Sequence, residues 1–503
     1  MKCNQYFCTF ISYKLIELLS TLNRFFKDTI IYGIAAVLPR VINFLLVRIH
    51  TDALPTDNYA ENTNFYIWIA LFTVLLTFGM ETSFFRFYKS NEKADTISTS
   101  FISVASVTLL FLIAAFVFSD QFIQLFEFTA NPVQFKLFIG ILAIDVISVI
   151  PFAYLRAANR PIRYTVIKLL NVGIIVAINL LFLKYIPYLI NTNSYVPEFL
   201  KNTYQSTSIV NFIFIANIVG SLVSFLLLMP YLVQFKWNFN VELFKKMFKY
   251  SWPIAVAGIA YTINENLDKY LIGQLIDKST MGIYSACYKL AIFMNLYIMA
   301  FRLGAEPFFF SHADKANAKE TYAKIMNYFI IVGSLMFVGI VAFLDIIKVL
   351  FIKNPDYWEA ISIVPIVLLA NLFLGIYHNL SVWYKLTDKT RYGMYFSILG
   401  AIITIIINII LIPKIGFIAA AWATLGAYGS MTIISYFYGK KYYDVPYDLQ
   451  KSGTYLLISM VIAFVNFVYF RENYLVSIVL VSLFGFLIFW KEKNGILALI
   501  KRK

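Results

Sequence analysis

The chain has 503 residues, 60% of them hydrophobic and 14% charged, with a mean hydropathy of +0.73 and a formal net charge of +15. That is too little polar surface to cover a soluble protein of this size. Three cysteines and three scattered histidines exclude a disulfide framework and give zinc chemistry little support.

A bilayer core takes roughly 20 apolar residues per crossing helix. That window places spans at 29–51, 64–85, 98–118, 134–155, 164–183, 209–230, 250–272, 282–310, 325–350, 357–379, 392–412, 415–438, 453–470 and 474–490, fourteen in all. Many are rich in Ile, Val and Phe, which favour strands in soluble proteins. In lipid the backbone must satisfy its own hydrogen bonds, so long apolar runs become helices. The predicted fold is all-α, a polytopic membrane protein.

Residues 1–28 form a short N-terminal segment whose run "FCTFIS" is too brief for a signal-peptide core. Alternate segments outside the spans, counted from this one, hold 28 Lys and Arg, and the intervening segments hold 6. Basic residues stay on the cytoplasmic side, so both termini are expected there. The net charge is thus a topology signal, and no nucleic-acid partner is expected.

The first span reads "LPRVINFLLVRI", with Pro39 as a hinge candidate and Arg40 near mid-membrane. Arg48 lies eight residues on, about 80° around the helix, so both arginines can face one cavity. No acid accompanies them in that span. A charge at the bilayer centre costs roughly 2.5–3.5 kcal/mol, so it seeks water or a partner. Asp145 in the fourth span is the obvious counter-charge for a purely structural pair. In the seventh span, "YTINENLDKY" puts Tyr261, Glu265, Asp268 and Lys269 on one face. The eighth aligns Asn295, Arg302 and Glu306, with Lys289 pointing away and Arg302 placed to pair with Glu306 at i, i+4. Lys136 and Lys348, at span ends, are expected to snorkel.

Two phrases recur. "GMETSFF" from Gly79 returns as "GAEPFFF" from Gly304, an offset of 225, and "RYTVIKLLNVGIIVAINLLFL" from Arg163 returns as "RYGMYFSILGAIITIIINIILI" from Arg391, an offset of 228. One duplication explains both. Six spans per half is an even number, so the halves should be parallel repeats about an axis along the membrane normal, with a substrate site between them. The expected organisation is a lobe at 29–230, a linker at 231–249, a second lobe at 250–438, and two trailing helices in 439–503.

Five phrases, "LPRVINFLLVRI", "FGMETSFFRFY", "KYSWPIAVAGIAYTINENLDKYLIG", "GIYSACYKLA" and "LIPKIGFIAAAWAT", carry a family resemblance. From about residue 22 the chain resembles a bacterial polysaccharide biosynthesis flippase. This is the O-antigen and exopolysaccharide branch of the multidrug/oligosaccharidyl-lipid/polysaccharide exporter superfamily. The resemblance implies two six-helix lobes plus two trailing helices around a cavity that opens alternately to each side. It also implies an undecaprenyl-pyrophosphate-linked oligosaccharide as substrate, moved to the periplasmic leaflet of the inner membrane, with a groove for its tail at the trailing helices. In related lipid II flippases a first-helix arginine in a Ser-Arg-Val-Leu-Gly-Phe context binds the pyrophosphate region, and "PRVINF" puts Arg40 there. The relatives' next arginine falls near Leu46, so Arg48 is a shifted substitute.

The expected substrate-binding residues are therefore Arg40, Arg48, Lys269, Lys289 and Arg302, since arginine offers forked donors to phosphate. No cofactor is expected beyond a proton or sodium gradient, coupled through Asp145, Glu265 or Asp268. Glu81 and Glu306 are expected to act as cytoplasmic latches, paired with bases such as Arg163 and Arg391. A monomer working beside glycan polymerase machinery completes the expected setting. A cation-coupled multidrug extruder is the rival. An enzyme is disfavoured, because the longest outer loop, 185–208, carries no charged cluster and no nucleophile–base constellation is present.

Overall fold

The computed structural model describes residues 38–88, 93–233, 237–387 and 389–500, without the side chains of 307, 311 and 494–500. It is 87% helix, with no strand among the described residues. The helices are α1 (38–53), α2 (Thr56–Thr77), α3 (Met80–Phe87), α4 (Lys93–Val117), α5 (Val133–Ala157), α6 (Pro161–Leu180) and α7 (Asn211–Leu232). The second half has α8 (Val241–Leu275), α9 (Lys278–Tyr288), α10 (Ile292–His312), α11 (Ala318–Ala342), α12 (Leu344–Phe351), α13 (Ile363–Leu380), α14 (Val382–Leu386), α15 (Arg391–Ile415) and α16 (Ile418–Tyr442). α17 (Leu449–Tyr469) and α18 (Tyr474–Ile500) follow, and α17 packs along α11.

Twelve helical stretches among the described residues are long and apolar enough to cross a membrane. The other two expected spans are the first and the seventh. The first begins in residues outside the description, at 29–37. The seventh is present as α8, whose polar stripe lowers its hydropathy. At 35 residues α8 is roughly 50 Å long, well beyond a core of about 30 Å, and it starts nine residues before the expected boundary. Asn240 caps it, accepting from the Leu243 amide at 3.0 Å. Pro253 lies in the helix interior.

The packing repeats. In the first half α4 lies on α5, and both α5 and α6 lie on α7; in the second, α11 lies on α13, and both α13 and α15 lie on α16. The echoed Ile-Asn pairs occupy matching places. Asn179 and Asn408 are both fully buried and donate to the carbonyl four residues back, Ile175 at 2.8 Å and Thr404 at 2.9 Å. Such back-bonding satisfies a polar side chain where no water reaches.

The other echo is not matched in shape. Gly79 breaks the second crossing between α2 and α3, at φ +72°, whereas Gly304 is ordinary helix within α10. The eighth crossing breaks elsewhere, in a 3-10 turn over Lys289–Ala291 between α9 and α10. The expected hinge, Pro39, borders the residues outside the description.

The trailing pair is pinned to the second half by Arg471, in the α17–α18 turn. Its guanidinium grips the Asp345 carboxylate with bonds of 2.9, 2.9 and 3.2 Å. The expected ninth span stops at Ala342, which leaves Asp345 and Lys348 on α12 beyond the crossing. Lys348, expected to snorkel, instead pairs with Asp345 and lies over the Trp358 ring. Burial pushes the Asp345 carboxyl up, but the Arg471 and Lys348 hydrogen bonds outweigh it and hold it below its ordinary value. A carboxylate depressed in the folded state stabilises at all pH values above its unfolded pKa, about 3.9, and loses that contribution as pH falls through its folded value. Thermal unfolding in detergent should therefore weaken below about pH 4 in wild type. Asp345→Asn should cost about 1.5–3 kcal/mol at neutral pH and lose that acid sensitivity.

Candidate functional site

The two halves meet differently at their two ends. At the end bearing Glu81, Gly79 of the first half lies against the Ser251 carbonyl of α8, and Ser83 donates to the Met247 carbonyl at 3.1 Å. At the opposite end α2 packs on α9, where Gly282 abuts the Thr56 carbonyl and the Thr56 and Ser279 hydroxyls are bonded at 2.7 Å. The glycines allow this backbone approach because any Cβ would collide.

Between these seams stands a polar group assembled from several helices. Tyr261 of α8 is half exposed and feels the charges of Arg40 from α1, Arg302 from α10 and Glu265 one turn along its own helix. Arg302 donates to Glu306 at 3.1 and 3.2 Å, and Lys385 of α14 donates to the same carboxylate at 2.9 Å. His378 of α13 lies within electrostatic range of Arg302 and Lys385. Arg40 makes no ion pair among the described residues, and Asp145, its expected structural partner, is instead bonded to Ser221.

Of the five residues expected to bind substrate, Arg40 and Arg302 both lie within electrostatic range of Tyr261, and the structure places the others elsewhere. Lys269 is caged: its ammonium pairs with Asp268 at 3.0 Å, meets the Glu265 carbonyl and lies 3.7 Å from the Tyr288 ring centroid. Tyr284 donates to the other Asp268 oxygen at 2.7 Å, and Tyr428 donates to the Glu265 carboxylate. Lys289 sits over the Tyr59 ring at 5.0 Å, in the closed seam between α2 and the eighth crossing. Arg48 donates to the carbonyls of Val349, at 3.1 Å, and Leu350.

The expected latch partners are corrected. Glu81 pairs with Arg156 of α5, while Arg163 donates to the Tyr231 hydroxyl. Glu306 pairs with Arg302 and Lys385, and Arg391 is exposed at the start of α15. Each pair lies within one half, so neither holds the halves to each other.

Asp145 lines a second, polar cavity of about 340 Å³ inside the first half, together with Glu81, Arg156, Lys168, Asn171 and Asn217. Sequence reasoning missed Lys385 and His378. The hydropathy window ended the tenth span at 379, whereas the helix continues past a turn at Ser381 to Leu386. Helical spacing carried through that polar stretch would have placed Lys385 on the tenth crossing. No group of His, Cys, Asp and Glu able to hold a metal ion occurs among the described residues.

This arrangement has relatives. A family described as polysaccharide biosynthesis protein matches residues 204–301, and the family MatE matches 253–410. No curated protein matches the sequence. The fold resembles a lipid II flippase, MurJ, in an inward closed conformation, with a TM-score of 0.71 at 17% identity over 93% of this chain and 100% of that one. It also resembles a multidrug resistance MATE family transporter of the MOP superfamily. The inward-facing form gives a TM-score of 0.63 at 11% identity over 80% of this chain and 94% of that one. The outward-facing form gives 0.61 at 11% over 83% and 95%. The fold is the one these solved transporters share. The fold implied by the phrases in the first, second, seventh, eighth and twelfth spans is therefore borne out.

Proposed function

We propose that the chain is a flippase that carries a polyprenyl-pyrophosphate-linked oligosaccharide from the cytoplasmic to the periplasmic leaflet of a bacterial inner membrane by alternating access. One observation carries the reading: Arg40 of the first half and Arg302 of the second both lie within electrostatic range of Tyr261, and Arg40 has no acidic partner among the described residues. Two guanidinium groups within electrostatic range of one tyrosine suit an anion that must give up its water, and arginine meets phosphate with paired donors. The lipid II flippase relative supports a lipid-linked substrate. The polysaccharide biosynthesis match supports a glycan headgroup. The seam at the Thr56 end and the exposed Arg40 and Tyr261 fit a state closed on the periplasmic side. The Glu265–Asp268–Lys269 network is the proposed site where a proton or sodium gradient couples to movement, because it ties α8 to α9 and α16 through ionisable groups.

Arg40→Ala should lower flipping of a polyprenyl-pyrophosphate oligosaccharide in liposomes about tenfold or more, with Arg40→Lys recovering part of the loss. Undiminished flipping by Arg40→Ala would remove the reading. The MatE match favours a second one, a cation-coupled multidrug extruder. Export of cationic dyes that is unaffected by Arg40→Ala would put that reading first.

A further inference from the structure

The seam at the Thr56 end contains charges that the transport reading leaves unused. Asp52, near the end of α1, pairs with Lys184 from the first half and with Lys353 from the second, the latter at 3.1 Å. Lys184 stands in a π-turn, Leu181–Tyr185, which interrupts the fifth crossing. Such turns re-aim side chains and are frequent at functional positions. One turn before Asp52, Arg48 spans the halves by donating to Val349 and Leu350, whose carbonyls belong to the unpaired last turn of α12. The Tyr357 hydroxyl donates across the same seam to the Leu54 carbonyl at 2.8 Å.

Two lysines therefore meet on one carboxylate, which belongs to the first half yet is shared with the second, while Arg48 ties the same seam one turn away. We infer that Asp52 is the counter-ion of an ionic lock between the halves, and that a phosphate-bearing headgroup opens the lock by taking the place of Asp52 on Lys353, the one cross-half partner of that carboxylate among the described residues. The anion's identity rests on the transport reading; the lock itself does not. The Lys353 side chain is 56% exposed and that of Lys184 38%, so both ammonium groups are within reach of an arriving anion. Ion pairs this exposed are individually weak and yield to competition. A pyrophosphate group concentrates more charge and more acceptor oxygens than one carboxylate, so it outcompetes Asp52 while present and lets the seam re-form once it leaves. With Lys184 still on Asp52, the carboxylate keeps a partner while the anion holds Lys353.

The test uses the full chain in nanodiscs, with Cys3 and Cys8 replaced by serine and the facing pair Thr56→Cys and Ser279→Cys introduced. Disulfide formation between them reads closure of the seam without any lipid substrate. Adding Asp52→Asn should slow cross-linking about fivefold, and so should Lys353→Gln, whose exposed side chain keeps the test valid if the first variant misfolds. Sodium pyrophosphate should slow the parent pair by a similar factor, whereas sodium chloride at matched ionic strength should not. Unchanged rates in the folded variants, or pyrophosphate acting no more strongly than matched salt, would overturn the lock. Failure here leaves the flipping reading intact, because that reading fails only in the Arg40 flipping assay.

Discussion

Asp268→Ala is expected to cost about 3–5 kcal/mol of stability, the loss typical when one partner of a buried ion pair is removed. Asp268 is fully buried and receives both the Lys269 ammonium and the Tyr284 hydroxyl. Without it Lys269 keeps only the Glu265 carbonyl and the face of Tyr288, while the Glu265 carboxylate is already engaged by Tyr428. The charge would remain in a dry pocket with too few acceptors. Replacing the whole pair, Asp268→Asn with Lys269→Met, removes the stranded charge and should recover most of the loss. Thermal unfolding in detergent, followed by circular dichroism, compares the single and double variants. Equal destabilisation of the two would mean that the pair does not act as a unit. If the network also couples transport to an ion gradient, the stable double variant should lose gradient dependence of flipping while remaining folded.

Gly79→Ala should be comparably damaging, by about 2–5 kcal/mol, and Gly304→Ala should be neutral or stabilising by up to about 1 kcal/mol. At Gly79 two penalties add. The backbone is left-handed, which costs a side-chain-bearing residue roughly 1–2 kcal/mol, and a Cβ there would sit 2.6 Å from the Ser251 carbonyl oxygen. That oxygen belongs to a helix backbone and cannot rotate aside, so relief requires separating α2 from α8, at an overpacking cost of about 1–3 kcal/mol. Gly304 is helical and has open space where its Cβ would lie, so alanine there gains helix propensity. The same unfolding measurement on both variants checks the contrast. Similar effects at the two positions would mean that the repeated phrase performs one task twice.

That contrast shows what the sequence made legible. Length and hydropathy sufficed for the crossings, because a lipid-exposed helix must be apolar for about 20 residues regardless of its neighbours. The RYTV and RYGM segments pointed to a duplication, and Asn179 and Asn408 within them make the same bond to the carbonyl four residues back. The paired glycine–glutamate phrases led the reading astray: the same letters break one crossing and continue another. Glu81 and Glu306 found bases within their own halves because Arg156 and Lys385 come from adjacent crossings, a proximity that helix order does not specify. Arg40 stood out for its depth, whereas its place within electrostatic range of Tyr261 depends on how the halves dock. Asp52 went unremarked for a similar reason. It lies just beyond the predicted first span, and its importance comes entirely from Lys184 and Lys353, more than 130 residues away in sequence.

The 3-10 turn at Lys289–Ala291 has a mechanical consequence. It joins α9, fastened to α2 by close backbone packing at Gly282, to α10, which carries Arg302 and Glu306. A crossing divided at that joint behaves as two levers with a common pivot, so the arginine-bearing arm can swing while the other stays clamped. Substrate entry then requires rearrangement of half a helix, rather than displacement of an entire bundle through the surrounding lipid.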